Sequence, residues 1–144
     1  MASVVSINSS EKRGTVKLPV RSGLLLENGG LEGDAHAGDA HRQLSLLDSE
    51  SIRELREHSG EGIPFGSFAE NITTEGICLS HLPIGTRLSI GKSLIEITQI
   101  GKQCHSDCEI KKKVGKCVMP QRGVFARVIK GGKIFVGDEI SVKG

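Results

Sequence analysis

The stretch SLIEITQI, residues 93–100, alternates apolar and polar side chains along its length. Alternation with a period of two is typical of a β-strand that covers a core with one face. The pattern puts Ile95, Ile97 and Gln99 on one face of the strand. The opposite face then carries Leu94, Glu96, Thr98 and Ile100. This stretch predicts a strand in a half-covered sheet.

Short strand-like segments recur on both sides of this strand, separated by clusters of turn-forming residues. They are residues 3–7, 14–20, 23–28, 43–47 and 123–144, the last of which we predict as a hairpin turning at Gly131-Gly132. Two fragments, IGTRLSI (84–90) and VGDEISV (136–142), resemble each other and indicate recurrent turn chemistry. Many short strands and 19 glycines predict a mainly β, antiparallel barrel or sandwich.

Two segments are expected to be helical. In residues 48–60, Asp48 or Ser49 provides an N-cap, Ile52 and Leu55 share a face, and Gly60 ends the helix. The second predicted helix covers residues 106–115. Because no linker-like segment divides the chain, we expect one domain over residues 1–144.

Composition narrows the range of functions. The chain has four Phe and no Trp or Tyr, so its core must be aliphatic and base stacking is nearly unavailable to it. A formal charge of +2 is too small to indicate a nucleic-acid partner. No apolar run is long enough to span a membrane, and the N-terminus does not resemble a signal peptide. These features predict a cytoplasmic protein whose cysteines are free thiols, ligands or catalysts.

The segment GGLEGDAHAGDAHRQ, residues 29–43, is the first candidate site. Its Asp and His side chains at 34, 36, 39 and 41 suit a transition metal if the loop curls, whereas a polar surface loop needs no ligand. Arg42, directly before the strand at 43–47, can present a rigid guanidinium to a phosphate. Farther along the chain, Asn71 of the Glu70-Asn71 pair either binds a ligand or closes an Asx-turn. Cys78, between Ile77 and Leu79, is expected to be buried.

The segment GKQCHSDCEIKKKVGKC, residues 101–117, contains three of the four cysteines. Cys104 follows the strand at 93–100 and precedes the second predicted helix, a position that lowers a thiol pKa. Such a thiol can attack an electrophile, carry sulfur or ligate a soft metal. Cys108 lies one helical turn away, which permits a disulfide or a shared metal; Cys117 stays unassigned. The spacing matches neither a common zinc knuckle nor a thioredoxin-like pair.

An ordered set of segments resembles the MOSC domain family, the domains similar to the C-terminal part of molybdenum cofactor sulfurases. The segments are GLEGDAH, HRQLSLL, GSFAENITTEGICLSHLPIGTRLSIGKSLIEIT, a lone cysteine, and RGVFARVIKGGKIFVGDEI. They run from about Gly30 to Ile140, most of the chain. The resemblance implies a compact, strongly curved β-barrel with few helices.

The resemblance also implies a set of site residues. Cys104 corresponds to the family cysteine that carries a persulfide or binds molybdenum of the molybdopterin cofactor. The expected cofactor-binding residues are Gly33, Asp34, His36, Arg42, Glu70, Asn71, Arg122 and Gly123. Among them, Arg42 and Arg122 suit the phosphate and pterin by charge. Cys108 is not part of the general family pattern and is added as a second catalytic candidate.

Three functions stay open at this point. The first is a sulfur carrier or sulfurtransferase, served by a separate pyridoxal-phosphate-dependent cysteine desulfurase because this sequence contains no such domain and binds no pyridoxal phosphate itself. The second is a cofactor-binding module for storage, insertion or reduction, although the extra N-terminal domain of the amidoxime-reducing members is missing. The third is a zinc-stabilised barrel for protein contacts.

Overall fold

The structure is a computed structural model that describes residues 2–10, 18–34, 43–53, 70–100 and 123–143. Eleven strands lie in these ranges: β1 (Ala2–Ser9), β2 (Leu18–Val20), β3 (Ser22–Leu26), β4 (Gly30–Leu31), β5 (Leu44–Asp48), β6 (Ile72–Glu75), β7 (Arg87–Ile90), β8 (Ser93–Ile100), β9 (Val124–Lys130), β10 (Gly132–Phe135) and β11 (Glu139–Lys143). A 3₁₀ helix covers Leu79–His81.

Strand β8 confirms the alternation in SLIEITQI as far as Thr98. The prediction for Gln99 is wrong: it pairs with Phe125 and so lies on the opposite face from Ile97, which pairs with Ala126. Ile95 and Ile97 are fully buried, while Glu96 and Thr98 on the other face are partly exposed. β-bulges interrupt its pairing with β9 between Leu94 and Ile95 and again before Gln99. Because bulges increase local twist and bend a strand, they help this long central strand to curve.

The larger sheet closes on itself and forms the predicted barrel. Its strand order is β11-β7-β8-β9-β5-β6-β1, and pairing between β1 and β11 joins the two ends into a seven-stranded barrel. Strand β2 adds to the far end of β1. The barrel is not wholly antiparallel, since β5 and β6 pair in parallel. A parallel pair needs a crossover connection, and residues 49–71 provide it.

The predicted hairpin at Gly131-Gly132 is wrong. Strand β9 pairs with β8 and β5, whereas β10 crosses over to pair with β3 in a second sheet of order β10-β3-β4. A Cβ on Gly131 would lie 2.5 Å from the Leu25 carbonyl oxygen. This glycine therefore lets the chain pass close to β3 instead of turning back on β9.

The barrel interior is aliphatic, as the composition predicted. Leu, Ile and Val side chains dominate the buried cluster: Val4, Ile7, Leu25, Leu31, Leu44, Leu46, Ile72, Leu79, Leu88, Ile90, Ile95, Ile97, Val124, Ala126, Val128, Ile134 and Ile140. Phe125 is the buried aromatic side chain in the described part of the chain, and it lies outside this cluster. Most of the interior is therefore filled by branched side chains that fit a tight barrel.

The first predicted helix begins where the sequence indicated. Residues 49–53 are helical, and the carboxylate of Asp48 accepts a hydrogen bond from the Ser51 main-chain N–H at 3.1 Å. Asp48 is thus the N-cap, and Ile52 is fully buried. Leu55, Gly60 and the second predicted helix lie outside the described residues.

The two similar fragments are neighbours in the barrel. Strands β7 and β11 pair in antiparallel fashion, with Ile90 opposite Ile140. The preceding glycines, Gly85 and Gly137, have φ angles of 94° and 98°, and no atom of the described segments lies within 4 Å of a Cβ built on either. Both glycines are required by backbone conformation, which confirms recurrent turn chemistry.

Candidate functional site

Asp34 is held against the end of β1. Gly33, with φ of 82°, turns the chain after β4, and the Asp34 main-chain N–H donates to the Leu31 carbonyl at 3.1 Å. The Asp34 Oδ1 accepts from the Ser10 N–H at 3.1 Å and from the Ser9 hydroxyl at 3.5 Å. The residue is 6% exposed. The aspartate of the GLEGDAH segment is thereby fixed to the first strand.

Asn71 joins three strands. Its Oδ1 accepts from the Ser45 main-chain N–H at 3.0 Å and from the Ser45 hydroxyl at 3.1 Å, and its Nδ2 donates to the Asn8 carbonyl at 3.3 Å. Its own main-chain N–H donates to the Ser45 carbonyl at 2.9 Å. The side chain therefore links β5 and β1 at the start of β6, in place of the Asx-turn considered from the sequence.

Glu70 lies in the same network and is fully buried. Its Oε2 accepts from the Thr73 hydroxyl at 2.8 Å, and its carbonyl accepts from Asn8 Nδ2 at 3.1 Å. Asn8 Nδ2 also donates to the Thr73 hydroxyl at 3.1 Å, while Asn8 Oδ1 accepts from Ser6 at 2.7 Å. Asn8 is thus the central connector of this network.

These side chains share one face of the barrel wall. Successive strand residues point to opposite faces, and the neighbours Ile7, Leu46 and Ile72 belong to the interior cluster. The polar side chains therefore lie on the outer face, where they are nevertheless buried. We call this set the outer polar layer: Ser6, Asn8, Ser45, Asn71 and Thr73.

Strand pairing connects the outer polar layer to β8 and β9, the two strands that flank the cysteine segment in the sequence. Ser45 is paired with Phe125 on β9, and Phe125 is paired with Gln99 on β8. One residue farther on, Ile100 is paired with Val124. The segment 101–122 therefore leaves and re-enters the barrel at one place, next to Gly123, which is buried.

Four of the predicted site residues can be placed, together with Gly123. Asp34, Glu70 and Asn71 each form hydrogen bonds at the end of β1, although they come from two separate sequence segments, and Gly33 directly precedes Asp34. His36, Arg42, Cys104, Cys108 and Arg122 lie outside the described residues, as do Asp39, His41 and Cys117. Their roles stay predictions.

Gln43 is a structural anchor that the sequence did not reveal. Its Nε2 donates to the Asn28 carbonyl at 3.1 Å, and its Oε1 accepts from the Val128 N–H at 3.1 Å. The residue is 2% exposed and directly follows Arg42. Asn8 and Ser45 were missed as well, because single polar residues in strands resemble ordinary solvent-facing positions.

Cys78 is exposed, which contradicts the prediction of a buried thiol. Strand β6 ends at Glu75, Gly76 turns the chain with φ of 86°, and Cys78 precedes the 3₁₀ helix. The buried contact is made instead by Leu79. No group of three His, Cys, Asp or Glu side chains that could hold a metal is found in the ranges that the structure describes.

A closed seven-stranded barrel with a buried polar layer beside a cysteine segment defines a compact β-barrel class, and the comparisons identify its family. The sequence model of the MOSC domain matches residues 32–141, and the chain belongs to this family. The family is associated with molybdenum-cofactor-related proteins. No curated protein sequence matches the chain significantly.

Solved structures support the same fold. The YuaD protein from Bacillus subtilis is 18% identical with a TM-score of 0.79, over 99% of this chain and 96% of that chain. YiiM from Geobacillus stearothermophilus is 21% identical with a TM-score of 0.79, over 100% of this chain and 76% of that chain. YiiM from Escherichia coli is 21% identical with a TM-score of 0.67, over 99% and 70%. At these identities the likeness shows the fold alone.

Membrane insertion by helices has no support in the described ranges. None of the helices there combines the length and the apolar character that crossing a membrane requires.

Proposed function

We propose that this protein is a cytoplasmic sulfur carrier for molybdenum-cofactor chemistry. In this proposal Cys104 accepts sulfane sulfur from a separate pyridoxal-phosphate-dependent cysteine desulfurase and delivers it to a molybdenum cofactor or a related metal–sulfur centre. Family membership supports the association with the cofactor. The sulfur step itself is our inference from the chemistry of the cysteine segment.

The single observation that carries the proposal is the paired row of residues from β1 to β8. It runs from Asn8 through Asn71 and Ser45 to Phe125 and Gln99. Cys104 follows Gln99 by five positions in the sequence, and Arg122 precedes Phe125 by three. This row of paired strand residues borders both ends of the segment that carries these residues, and in the proposal it supports them.

The proposed sulfur step needs no external oxidant. The Cys104 thiolate attacks the outer sulfur of a donor persulfide, forming a Cys104 persulfide while the donor leaves as a thiolate. For release, the Cys108 thiol attacks the inner sulfur at Cys104. This forms a Cys104–Cys108 disulfide and liberates hydrosulfide for the acceptor, and cellular thiols then reduce the disulfide.

The residues present suit a molybdopterin-type cofactor. A thiolate is a soft ligand that fits molybdenum, and the guanidinium groups of Arg42 and Arg122 fit a phosphate. Among the described residues, no atom lies within 4 Å of a Cβ built on Gly33, whose φ of 82° is one that residues with a side chain rarely adopt. When bound, the cofactor would supply the molybdenum centre; Asp34, Glu70 and Asn71 would hold the surrounding framework, and the family resemblance adds His36 and Gly123 as candidate binding residues.

Mass spectrometry after treatment with a cysteine desulfurase and cysteine tests the carrier role. We expect one added sulfur at Cys104, its loss in Cys104→Ser, and persistence of the persulfide in Cys108→Ser because release is blocked. Cys78→Ser is the matched control, since Cys78 is an exposed thiol outside the segment. Equal labelling of Cys78 and Cys104 would contradict a dedicated carrier.

Elemental analysis distinguishes the carrier from a cofactor-binding module. The protein is purified from a host that makes molybdopterin and compared with Cys104→Ser. Molybdenum near one per chain, lost in the variant, would assign Cys104 as a metal ligand in a storage, insertion or reductase module. Stoichiometric zinc alone would favour a structural metal. Absence of both metals is the result expected for a carrier.

A further inference from the structure

A groove lies at the opposite end of β8 and β9 from Ile100 and Val124, next to which the cysteine segment begins and ends. It has a volume of about 660 Å³ and is lined by Gly91, Lys92, Lys130, Gly131, Gly132, Lys133, Phe135 and Asp138. Lys130 is paired with Leu94 at the start of β8, whereas the cysteine segment follows Ile100. At about 3.3 Å per residue, Leu94 and Ile100 lie roughly 20 Å apart along β8, which is most of the length of the strand.

Within the part of the chain that the structure describes, the groove follows an edge of strand β10 that pairs with no other strand. The Val136 main-chain N–H donates to the Arg21 carbonyl, toward β3, while the Phe135 N–H donates away from β3 to the Asp138 carboxylate at 2.9 Å. Along a β-strand, the main-chain N–H and C=O groups of successive residues point to alternate sides. Those of Lys133 therefore point to the same side as those of Phe135. The N–H and C=O of Lys133 therefore face the groove.

Charge and apolar surface lie together along this edge. Lys92, Lys130 and Lys133 contribute three positive charges, against the single carboxylate of Asp138. Phe135 is 48% exposed, and Lys133 Nζ lies 5.4 Å above its ring. Leu24, paired with Lys133 on β3, is also exposed. The surface thus offers apolar contacts with basic side chains around them.

We propose that this groove binds an extended acidic segment of a partner protein, which adds as a strand to the open edge of β10. Main-chain groups of Lys133 pair with the peptide backbone, as in other β-strand additions. Acidic side chains of the peptide approach the three lysines, and an apolar side chain packs on Phe135. The proposal is independent of the sulfur chemistry at Cys104.

A peptide fits these features better than a small anion does. The groove extends along a strand edge and offers both a donor and an acceptor of the main chain, whereas a phosphate needs donors only. A different account is that the lysines merely protect an edge strand from aggregation. That account predicts no binding of an acidic peptide.

The test is fluorescence anisotropy with the full chain and a short, labelled, acetylated peptide of alternating glutamate and leucine. We expect saturable binding that weakens at least about tenfold in Lys133→Glu or Lys92→Glu, because like charges then face each other. Lys143→Glu is the matched control: it makes the same charge change at an exposed lysine on β11, outside the groove. No binding, or equal losses in Lys143→Glu, would overturn the proposal.

Amide hydrogen exchange separates strand addition from simple charge attraction. With peptide bound, exchange of the Lys133 amide should slow by at least about tenfold, since the amide gains a hydrogen-bond partner. An unchanged Lys133 amide would refute strand addition. Displacement of the peptide by an equal concentration of inorganic phosphate would refute it as well and assign the groove to a small anion.

Discussion

The two faces of one barrel wall differ in chemistry although both are buried. On the inner face, Ile7, Ile72 and Leu46 form an aliphatic surface. One residue away on the same strands, the outer polar layer holds Asn8, Asn71 and Ser45 in a dense hydrogen-bond network. The inner face contributes stability through packing alone. The outer face also fixes the relative positions of strands that support the candidate site.

The inner face should produce the largest loss of stability. Leu46→Ala removes a fully buried side chain that packs between β6 and β9, and we expect the free energy of unfolding to fall by about 4 kcal/mol. Urea denaturation measures this change. Persulfide loading of Cys104 per folded molecule should not change. A marked loss of loading would show that the inner face also affects function, so that the two faces do not have separate roles.

The outer polar layer should produce a somewhat smaller loss of stability but a loss of function as well. Asn71→Leu removes the hydrogen bonds of the Asn71 side chain to the Ser45 N–H and to the Asn8 carbonyl, so we expect about 3 kcal/mol of destabilisation. Because Asn71 belongs to the row that borders both ends of the cysteine segment, the proposed function predicts slower persulfide loading of the folded fraction. Denaturation and loading rates are compared with those of Leu46→Ala; equal loading in both variants would show that the layer has only a structural role.

Sequence patterns predicted the strands best where one face is exposed. Strand β8 shows clear alternation because Glu96 and Thr98 lie on its outer face. Strand β5 is buried on both faces, and its Ser45 gave no sign of a role in a network. The predicted hairpin failed because Gly132 pairs with Leu25, far earlier in the chain, and local turn residues do not encode such distant pairing.

The candidate site was predictable only in part for a related reason. Asp34, Glu70 and Asn71 could be selected because they belong to segments that resemble the family. Their connection through Asn8 could not be predicted, since it depends on β1 pairing with β6. Amide side chains of this kind have no distinctive spacing, and their importance follows from burial and from partners that are remote in sequence.

A third prediction compares two adjacent, fully buried threonines on β6. The Thr73 hydroxyl, on the outer face, donates to Glu70 Oε2 at 2.8 Å and accepts from Asn8 Nδ2 at 3.1 Å. Thr73→Val keeps the shape of the side chain and removes both hydrogen bonds. We expect destabilisation of about 1–2 kcal/mol, read from the midpoint of urea unfolding. No change would mean that Asn8 and Glu70 find other partners.

The smallest effect on stability is expected for Thr74, the residue that directly follows Thr73. Thr74 shares the inner face with Ile72, and its buried hydroxyl has no hydrogen-bond partner among the described residues. An unsatisfied hydroxyl in an aliphatic interior opposes folding, so Thr74→Val should leave stability unchanged or raise it by up to about 1 kcal/mol. Urea unfolding beside Thr73→Val measures the contrast directly. If Thr74→Val destabilises the barrel as much as Thr73→Val does, the inner face has a polar requirement of its own and the distinction between the two faces fails.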